Sequence, residues 1–433
     1  MQLGDRNNTT WPRAAVVAIG ILLLAAFACL AGCTTTGGNP HTTSFLFVSD
    51  SGNNRVLIYD TPFSTGESAN VVLGQADFTT GTSGLTAATL NQPANTAEDR
   101  VGNIYVADTL NNRVLQFQPP FSNGMSASLV IGQPDFVTGT PNTTQNGLGA
   151  SSGVIVGAVG LAFSRGGTLG RPAPLAAAVG GFVGGPVGVA FDSSGNLWVA
   201  DFGNSRILQY QPPFATDMNA SLVLGQADFT SSTAATTNSG LRGPESIAFD
   251  RSGNLWLTDT YNNRVLEFQP PFANGMAASL VIGQADFVSS AAATTASGLD
   301  FPTGIAFDSA GNLWIGDTDN SRVLQFAPPF ANGMSASLAL GQASFTTSTP
   351  ATTQNGLSRP FGLTFDSSGN LGVADFANNR TLAFAPPFST NQNASLVVGQ
   401  ADFTTAAAAT TATGQTMPFA VSAAFSKQAL FPF

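Results

Sequence analysis

Short stretches in which apolar and polar residues alternate, separated by turn residues, occur along most of the chain. Between residues 304 and 342 this pattern predicts four strands, at 304–308, 313–317, 322–326 and 335–342. A Pro-Pro pair before the fourth strand cannot continue a β ladder, because proline lacks the backbone N–H donor. Beyond the N-terminal leader, no segment of the sequence shows a sustained helical period of about 3.6 residues. The sequence therefore predicts an all-β domain.

The four-strand unit recurs six times along the chain. One arginine in each unit marks the register, at Arg55, Arg113, Arg206, Arg264, Arg322 and Arg380. Successive arginines are 58 residues apart, except for an interval of 93 between the second and third, which implies a 35-residue insertion at about 147–185. A fixed period of this length is typical of repeat architectures, and four strands per repeat in a radial array make a β-propeller.

The two ends of the domain complement each other. The first unit begins at residue 44 without the opening strand that the other units have, and residues 418–425 supply one further copy of it. Pairing of these N- and C-terminal segments would leave no unpaired strand edge inside a closed ring. We predict a six-bladed β-propeller of four-stranded blades over residues 44–433.

The repeated pattern P-x-G-[IV]-A-F-D-x-x-G-N-L-W-V-A-D-x-x-N-x-R-[IV]-L-x-F resembles the NHL repeat and extends over nearly all of residues 44–425. The added Pro-Pro-Phe and Gly-Gln-x-Asp-Phe segments make each unit longer than a typical NHL repeat. The resemblance implies a propeller of a family whose members bind RNA or proteins, serve as sensor domains of bacterial membrane kinases, or act as a zinc-dependent lyase. The fold alone does not choose among these functions.

The N-terminus resembles the leader of a bacterial lipoprotein. Two arginines precede an apolar run at 14–28, as in a secretory signal, and Leu-Ala-Gly-Cys follows at 30–33. This tetrapeptide is similar to a lipobox, in which the cysteine is lipidated and becomes the mature N-terminus. The resemblance implies a signal peptide at 1–33 and a lipid anchor on Cys33.

Residues 34–43 are then a short tether between the lipid and the propeller. An uncleaved anchor is the alternative, because residues 14–33 are long enough to cross a bilayer. Both alternatives place residues 34–433 outside the cytoplasm, in the cell envelope. By resemblance to lipoprotein sorting, Thr34 favours the outer membrane if the bacterium has two membranes.

Composition excludes several classes of partner. Only 9% of residues are charged and the net charge is −10, so the chain cannot gain the counterion-release affinity that binding to nucleic acid requires. Polybasic attraction to anionic lipid is excluded for the same reason. The two cysteines, Cys29 and Cys33, both lie in the leader, so the propeller has no disulfide and its stability must come from burial.

Two polar motifs recur and are interpreted as structural. In Asp-x-x-Asn-x-Arg, the Asp and Asn can cap their own turn, and the Arg can pair with the Asp. In Gly-Gln-x-Asp-Phe, one carboxylate falls in each unit and Ser344 replaces it in one copy, which is not the spacing of a calcium loop. The phenylalanine of this motif is predicted to pack between blades.

Histidine chemistry is almost absent from the sequence. His41, in the tether, is the only histidine, so neither a histidine-based catalytic triad nor a zinc site of two or three histidines can form. This argues against the lyase branch of the family that the repeat resembles. No catalytic residue and no metal ligand is assigned.

Positions that differ between repeats are the best candidates for a binding site. The residue after the strand-opening proline is expected to surround one mouth of the central channel; these six residues are Ala94, Val187, Glu245, Thr303, Phe361 and Phe419. They are mostly apolar and include one carboxylate. The insertion, with Arg165 and Arg171, is expected to be a lid or a contact patch on the same face, or else a decayed partial repeat, since 160–169 resembles 188–197.

The sequence therefore favours a monomeric, lipid-anchored binding or scaffolding module of the envelope, with a protein, peptide or glycan as partner and no cofactor. The alternative is a calcium-dependent hydrolase similar to a lactonase, with Glu245 in the central channel. The lack of histidine and of carboxylates that are unique to one blade favours the binding module. A purely structural surface protein is a third possibility.

Overall fold

A computed structural model describes residues 44–150 and 184–425 of the chain. In these ranges 24 strands form six antiparallel sheets of four strands each. None of the helices in this described part of the chain is long and apolar enough to cross a membrane.

The strands are numbered in chain order and grouped by sheet, here called blades 1 to 6. Blade 1 contains β1 (Ser44–Asp50), β2 (Arg55–Asp60), β3 (Val71–Leu73) and the last strand of the chain, β24 (Pro418–Phe425). Blade 2 contains β4 (Pro93–Glu98), β5 (Ile104–Asp108), β6 (Arg113–Phe117) and β7 (Leu129–Ile131). Blade 3 contains β8 (Pro186–Phe191), β9 (Leu197–Asp201), β10 (Arg206–Tyr210) and β11 (Leu222–Leu224). Blade 4 contains β12 (Pro244–Phe249), β13 (Leu255–Asp259), β14 (Arg264–Phe268) and β15 (Leu280–Ile282). Blade 5 contains β16 (Pro302–Phe307), β17 (Leu313–Asp317), β18 (Arg322–Phe326) and β19 (Leu338–Leu340). Blade 6 contains β20 (Pro360–Phe365), β21 (Leu371–Asp375), β22 (Arg380–Phe384) and β23 (Leu396–Val398).

A single turn of 3-10 helix joins the second and third strands of every blade. These turns are Ser51–Asn53, Thr109–Asn111, Phe202–Asn204, Thr260–Asn262, Thr318–Asn320 and Phe376–Asn378. They mark one face of the propeller, here called the motif face, because the Asp-x-x-Asn-x-Arg motif forms each turn.

Strand β24 completes blade 1 and closes the ring. It runs antiparallel to β1, with Val421 opposite Val48, so the two ends of the propeller share one sheet. The innermost strand of each blade contacts the innermost strand of the next. Contact between β20 of blade 6 and β24 of blade 1 closes the ring, and β24 also contacts β4 of blade 2. The predicted six-bladed, all-β propeller with terminal closure is confirmed.

The outermost strand of each blade is shorter than the sequence pattern predicts. In blade 5 it covers Leu338–Leu340 rather than 335–342. The backbone turns away after Leu340 to place Gln342, whose amide donates to the carbonyl oxygens of Ser321 at 3.0 Å and Thr349 at 2.9 Å. A side chain thus takes over the hydrogen bonding that a longer ladder would provide.

Aromatic side chains pack between neighbouring blades, within a core that is otherwise mostly aliphatic. Trp256 of β13 lies fully buried and meets Phe307 and Phe330 of blade 5 at ring-centroid distances of 5.7 and 5.0 Å, both edge to face. Such pairs contribute about 0.5–1.5 kcal/mol beyond the area they bury. The phenylalanine of Gly-Gln-x-Asp-Phe, for example Phe345, packs against the same clusters, so its predicted place between blades is confirmed.

A fully buried ion pair lies at the motif face of every blade. In blade 4, Arg264 Nε donates to Asp259 Oδ2 at 2.7 Å, and both side chains are 0% exposed. The guanidinium also donates to the carbonyl oxygens of Thr237 and Gly240 in the loop before the blade, and to that of Phe287 in the loop after it. The pair therefore ties both connecting loops to the blade, which confirms the structural interpretation of the motif.

Replacing Arg264 with alanine is expected to destabilise the propeller by about 3–5 kcal/mol, because it leaves the Asp259 carboxylate buried without its partner. Urea unfolding followed by circular dichroism measures the change. Arg100→Ala is the control: Arg100 is exposed, so that variant is expected to lie within about 0.5 kcal/mol of the wild type. Equal stability of the two variants would contradict the role assigned to the buried pair.

Candidate functional site

The six predicted channel-mouth positions lie at the centre of the motif face and are buried. Ala94, Val187, Phe361 and Phe419 belong to one apolar cluster, and all six positions are at most 5% exposed. Phe361 lies 4.6 Å, between ring centroids, from both Phe419 and Phe376. The predicted site is therefore brought together as a packed aromatic plug, and its role in binding stays a prediction.

The innermost strands approach one another closely just below this plug. A Cβ added to Gly188 would overlap the carbonyl oxygen of Glu245, and one added to Gly304 would overlap that of Phe361. Only glycine allows these strands to come so near, because any side chain would displace the neighbouring backbone. The ring is therefore tight around its axis at the motif face.

Hydroxyl groups tie successive blades together around the mouth. In four blades the residue after the motif aspartate donates to the carbonyl oxygen of the strand-opening proline of the next blade; these residues are Ser51, Thr109, Thr260 and Thr318. Phe202 and Phe376 take this position in blades 3 and 6 and join the plug instead. The predicted site residue Thr303 belongs to this network, with its hydroxyl oxygen 2.7 Å from that of Thr318.

Glu245 is the one charged residue among the six positions, and it is only 4% exposed. Its Oε2 atom has no hydrogen-bond partner. Burial raises the pKa of Glu245 well above its ordinary value of 4.5, and the nearby negative charge of Asp319 adds to the effect. Burial also raises the pKa of Asp319 to about 6, against the lowering effect of Arg359, which bonds it at 2.9 Å.

This arrangement does not fit a calcium site in the channel. Calcium takes six to eight oxygen ligands, several of them carboxylates. Among the described residues, no three Asp, Glu, His or Cys side chains come together in a way that could hold a metal ion. Glu245 is instead a single buried acid beside apolar side chains, and no reaction step is assigned to a metal here.

The carboxylates of the Gly-Gln-x-Asp-Phe motif serve local turns. Asp77 Oδ1 accepts hydrogen bonds from the backbone N–H groups of Thr79 and Thr80, each at 2.8 Å. These bonds, together with those from the two threonine hydroxyls, lower the pKa of Asp77 to about 2. The prediction that these carboxylates are structural is consistent with this geometry.

The insertion begins and ends at the channel mouth. Gly149 N donates to Asp201 Oδ1 at 2.8 Å, the bond that Arg242 N makes to Asp259 in blade 4. Ala150 N then donates to Gly184 O at 2.9 Å, so the chain leaves and re-enters the fold at adjacent points. The predicted lid or contact patch, including Arg165 and Arg171, lies outside the described residues, as do Cys33 and the tether.

A groove of about 330 Å³, here called the seam pocket, lies between blades 6 and 1, at the face opposite the motif face. Gly372, Asp366 and Ala383 line it from blade 6, and Leu46 and Phe63 line it from blade 1. This pocket was not among the sites predicted from the sequence.

A missing aromatic side chain explains why the pocket lies at this seam. Three residues before the motif aspartate, on the second strand, the other blades carry a buried aromatic residue that faces the next blade; these residues are Phe47, Tyr105, Trp198, Trp256 and Trp314. Blade 6 has Gly372 there. The inner strand of blade 1 also has Ala423 opposite Leu46, where blade 6 has Phe365 opposite Leu371.

The sequence contains a sign of the pocket, namely a glycine at a position where the other repeats have an aromatic residue. Residues 371–375 read Leu-Gly-Val-Ala-Asp, whereas the preceding repeats have phenylalanine, tyrosine or tryptophan at the second position. Glycine in place of tryptophan leaves an empty space between the blades only if no other side chain fills that space. Pairing of β24 with β1 decides that point, because it places Val421 beside Gly372 and puts Ala423 where blade 6 has Phe365.

Glu245→Gln is expected to make the propeller more stable than the wild type at pH 8 and about equally stable at pH 4. The folded-state pKa of Glu245 lies above its unfolded value of 4.5, so the wild type loses stability as the pH rises through this range, while glutamine does not titrate. Urea midpoints of both proteins between pH 4 and 9 measure the difference. A difference that does not change with pH would contradict a buried acid at this position.

Comparison with known proteins agrees with the repeat pattern. A family model for the NHL repeat matches residues 184–210, 241–268 and 299–326, which lie in blades 3, 4 and 5. The comparison with curated proteins found no match.

Several solved structures are similar to this chain at low identity. One is a protein of unknown function from Bacteroides caccae, 10% identical, with 88% of this chain and 98% of that chain covered and a TM-score of 0.49. Another is virginiamycin B lyase from Staphylococcus aureus, 11% identical, with 80% and 83% covered and a TM-score of 0.37. A third is a gluconolactonase from Xanthomonas campestris, 14% identical, with 84% and 88% covered and a TM-score of 0.39. The chain thus contains NHL repeats, and its repeats build a six-bladed β-propeller.

Proposed function

We propose that this protein is a lipid-anchored binding module of the cell envelope that holds an aromatic group of its ligand in the seam pocket. The observation that carries the proposal is the replacement of the inter-blade aromatic residue by Gly372, which leaves a groove of about 330 Å³ between blades 6 and 1. Pockets of a few hundred Å³ with apolar walls and a few polar groups are typical small-ligand sites.

The ring prevents the two blades from closing over the vacancy. Blade 1 contains both ends of the propeller, because β24 pairs with β1. On either side of the seam a buried ion pair fixes the blade: Arg55 with Asp50 in blade 1, and Arg380 with Asp375 in blade 6. A ligand group that enters the groove therefore gains contacts without having to reorganise the fold.

The walls of the pocket combine apolar and polar groups. Leu46, Phe63 and Leu396 provide apolar surface, while Asp366 and Ser395 provide oxygen atoms at the rim. Few charges surround this groove in a chain that is only 9% charged. Such a site favours a protein or peptide ligand with an aromatic side chain, or a glycan with an aromatic substituent, over a highly charged partner.

The proposed location, anchored by lipid in the cell envelope, rests on the N-terminal sequence. The apolar run at 14–28 and the lipobox-like residues ending at Cys33 support export and lipid anchoring. An outer-membrane location is supported by Thr34 in bacteria with two membranes. The predicted contact surface on the insertion, at about 147–185, remains a separate expectation.

The alternative, a calcium-dependent hydrolase with Glu245 in the channel, is less well supported by the geometry of the plug. Its test is the calcium content of the purified protein after dialysis, measured by elemental mass spectrometry. Calcium near one equivalent for each chain would favour the hydrolase, and lactones and esters would then be the substrates to assay.

Gly372→Trp is expected to fill the seam pocket and abolish binding of aromatic probes. A Cβ at this position would lie 3.1 Å from Thr364 Cγ2 and 3.6 Å from the methyl groups of Val421, so a side chain can start toward the groove with a small shift. Burying the indole ring is expected to stabilise the fold by about 2 kcal/mol. Saturation-transfer NMR with indole and benzofuran measures binding, and urea unfolding measures stability.

Val288→Trp is the matched control, because it adds the same side chain at a position that is 71% exposed and far along the chain from the seam. It is expected to leave probe binding unchanged. Trp314→Gly is expected to open a second groove at the seam of blades 5 and 6. If both probes bind the wild type and Gly372→Trp equally, or if neither binds the wild type, the seam pocket is not the ligand site.

A further inference from the structure

We propose that the seam pocket selects an indole, with the ring seated where the other blades place their own tryptophan and its N–H group donating to Asp366. This inference rests on the proposed function and adds the chemical class of the ligand. It follows from a comparison of the seam pocket with the filled seams of the same molecule.

Three blades show how an indole is held at such a seam. The Nε1–H groups of Trp198, Trp256 and Trp314 donate to the Oδ2 atom of the aspartate that opens the adjacent turn, at 2.9, 3.2 and 3.0 Å. In blade 5 this acceptor is Asp308. Each indole is therefore fixed by a charge-assisted hydrogen bond as well as by aromatic packing.

Asp366 keeps the same position and the same turn bonds in blade 6. Its Oδ1 atom accepts hydrogen bonds from the backbone N–H groups of Ser368 and Asn370, each at 2.8 Å, and its Oδ2 atom accepts one from Asn370 Nδ2 at 2.7 Å. Asp308 makes the equivalent bonds with Ala310 and Asn312. The Asp366 carboxylate is thus oriented as that of Asp308 is in blade 5. Blade 6 has no indole to donate to it, because Gly372 stands at the position of Trp314.

The aromatic wall is also partly retained. In the seam of blades 5 and 6, Trp314 lies 4.7 Å from Phe388 and 5.8 Å from Phe365, both edge to face. Phe63 is the blade 1 equivalent of Phe388 and lines the seam pocket, whereas Ala423 replaces the second phenylalanine. An indole can therefore contact Phe63 and still leave room for a substituent where Ala423 is small.

A further polar group lies beside the ring position. In blade 5, Ser337 Oγ bonds the side chain of Gln325 at 2.9 Å. The equivalent glutamine is Ala383 in blade 6, so the bond to a glutamine side chain is lost, and Ser395 Oγ, which lines the pocket, donates to the backbone carbonyl of Ala383 at 3.0 Å. This hydroxyl is placed to meet an N–H group on the ligand, such as the amide of a tryptophan residue.

The inference predicts selection by the N–H group and not only by ring size. A hydrogen bond to a charged group contributes about ten- to hundredfold in affinity. Indole is therefore expected to bind the full-length chain at least tenfold more tightly than benzofuran or 1-methylindole, which lack the donor. Isothermal titration calorimetry and saturation-transfer NMR measure these affinities.

Asp366→Asn tests the acceptor directly. It is expected to weaken indole binding about tenfold and to leave benzofuran binding unchanged. Asp308→Asn is the matched control, because it alters the same turn in blade 5, where the chain's own Trp314 uses the acceptor. That variant is expected to lose a similar amount of stability and to bind indole as the wild type does.

The outcomes separate the two proposals. Equal binding of indole and benzofuran, with no effect of Asp366→Asn, would overturn the selection for indole and leave the seam pocket as an aromatic site. No binding of any aromatic probe to the wild type would overturn both. Binding that arises only after residues 426–433 are deleted would also overturn the inference, in favour of the chain's own C-terminal segment as occupant.

A further arm identifies the source of the indole. Tighter binding of N-acetyltryptophanamide than of free indole would support a tryptophan residue of a protein or peptide, since only the amide can reach Ser395. Tighter binding of free indole would support a small-molecule ligand of the same chemistry. Either result supports an indole site and determines which ligand is sought at the envelope.

Discussion

The buried ion pair between the motif aspartate and arginine is the interaction on which the other parts of this propeller depend. The carboxylate joins the end of the second strand to the start of the third, and the guanidinium donates to the loops on both sides of the blade. Because both groups are fully buried, neither can be left without the other. Six repetitions of this pair fix the loops, and fixed loops set the distance between blades. The aromatic residues at the seams can therefore pack in one way only.

Departures from this sixfold pattern locate the regions available for function. At the motif face, phenylalanine replaces a hydroxyl residue in two blades, and the centre becomes a packed plug that encloses Glu245. At the opposite face, Gly372 removes an aromatic ring and leaves the seam pocket. The first departure adds side chains to the axis and closes it, while the second removes one and opens a groove. A repeat protein can thus acquire a ligand site by omitting one residue of its own core, because the other five seams hold the ring in place.

Sequence reasoning succeeded for the features that repeat and was incomplete for those that depend on a single contact. The period of 58 residues, the four strands per unit and the missing first strand were sufficient to predict closure by β24. The same reasoning selected the six channel-mouth positions but could not show that their side chains are buried, since burial depends on how closely the inner strands approach. The predicted outer strand of blade 5 was too long, because the side-chain amide of Gln342 takes the place of further hydrogen bonds between the strands.

The sequence by itself determined the fold class, the number of blades, the position of the insertion and the structural role of the repeated polar motifs. Each of these is local or periodic, and a pattern repeated six times averages out the ambiguity of any single segment. Only the tertiary structure decided that Glu245 is buried and that the seam of blades 6 and 1 is open. Both facts depend on residues far apart in the chain: Gly372 meets Val421 and Phe63 only after the two ends of the propeller pair in one sheet. Whether a pocket forms depends on all the side chains around it, so the presence of Gly372 in the sequence is not sufficient to predict the seam pocket.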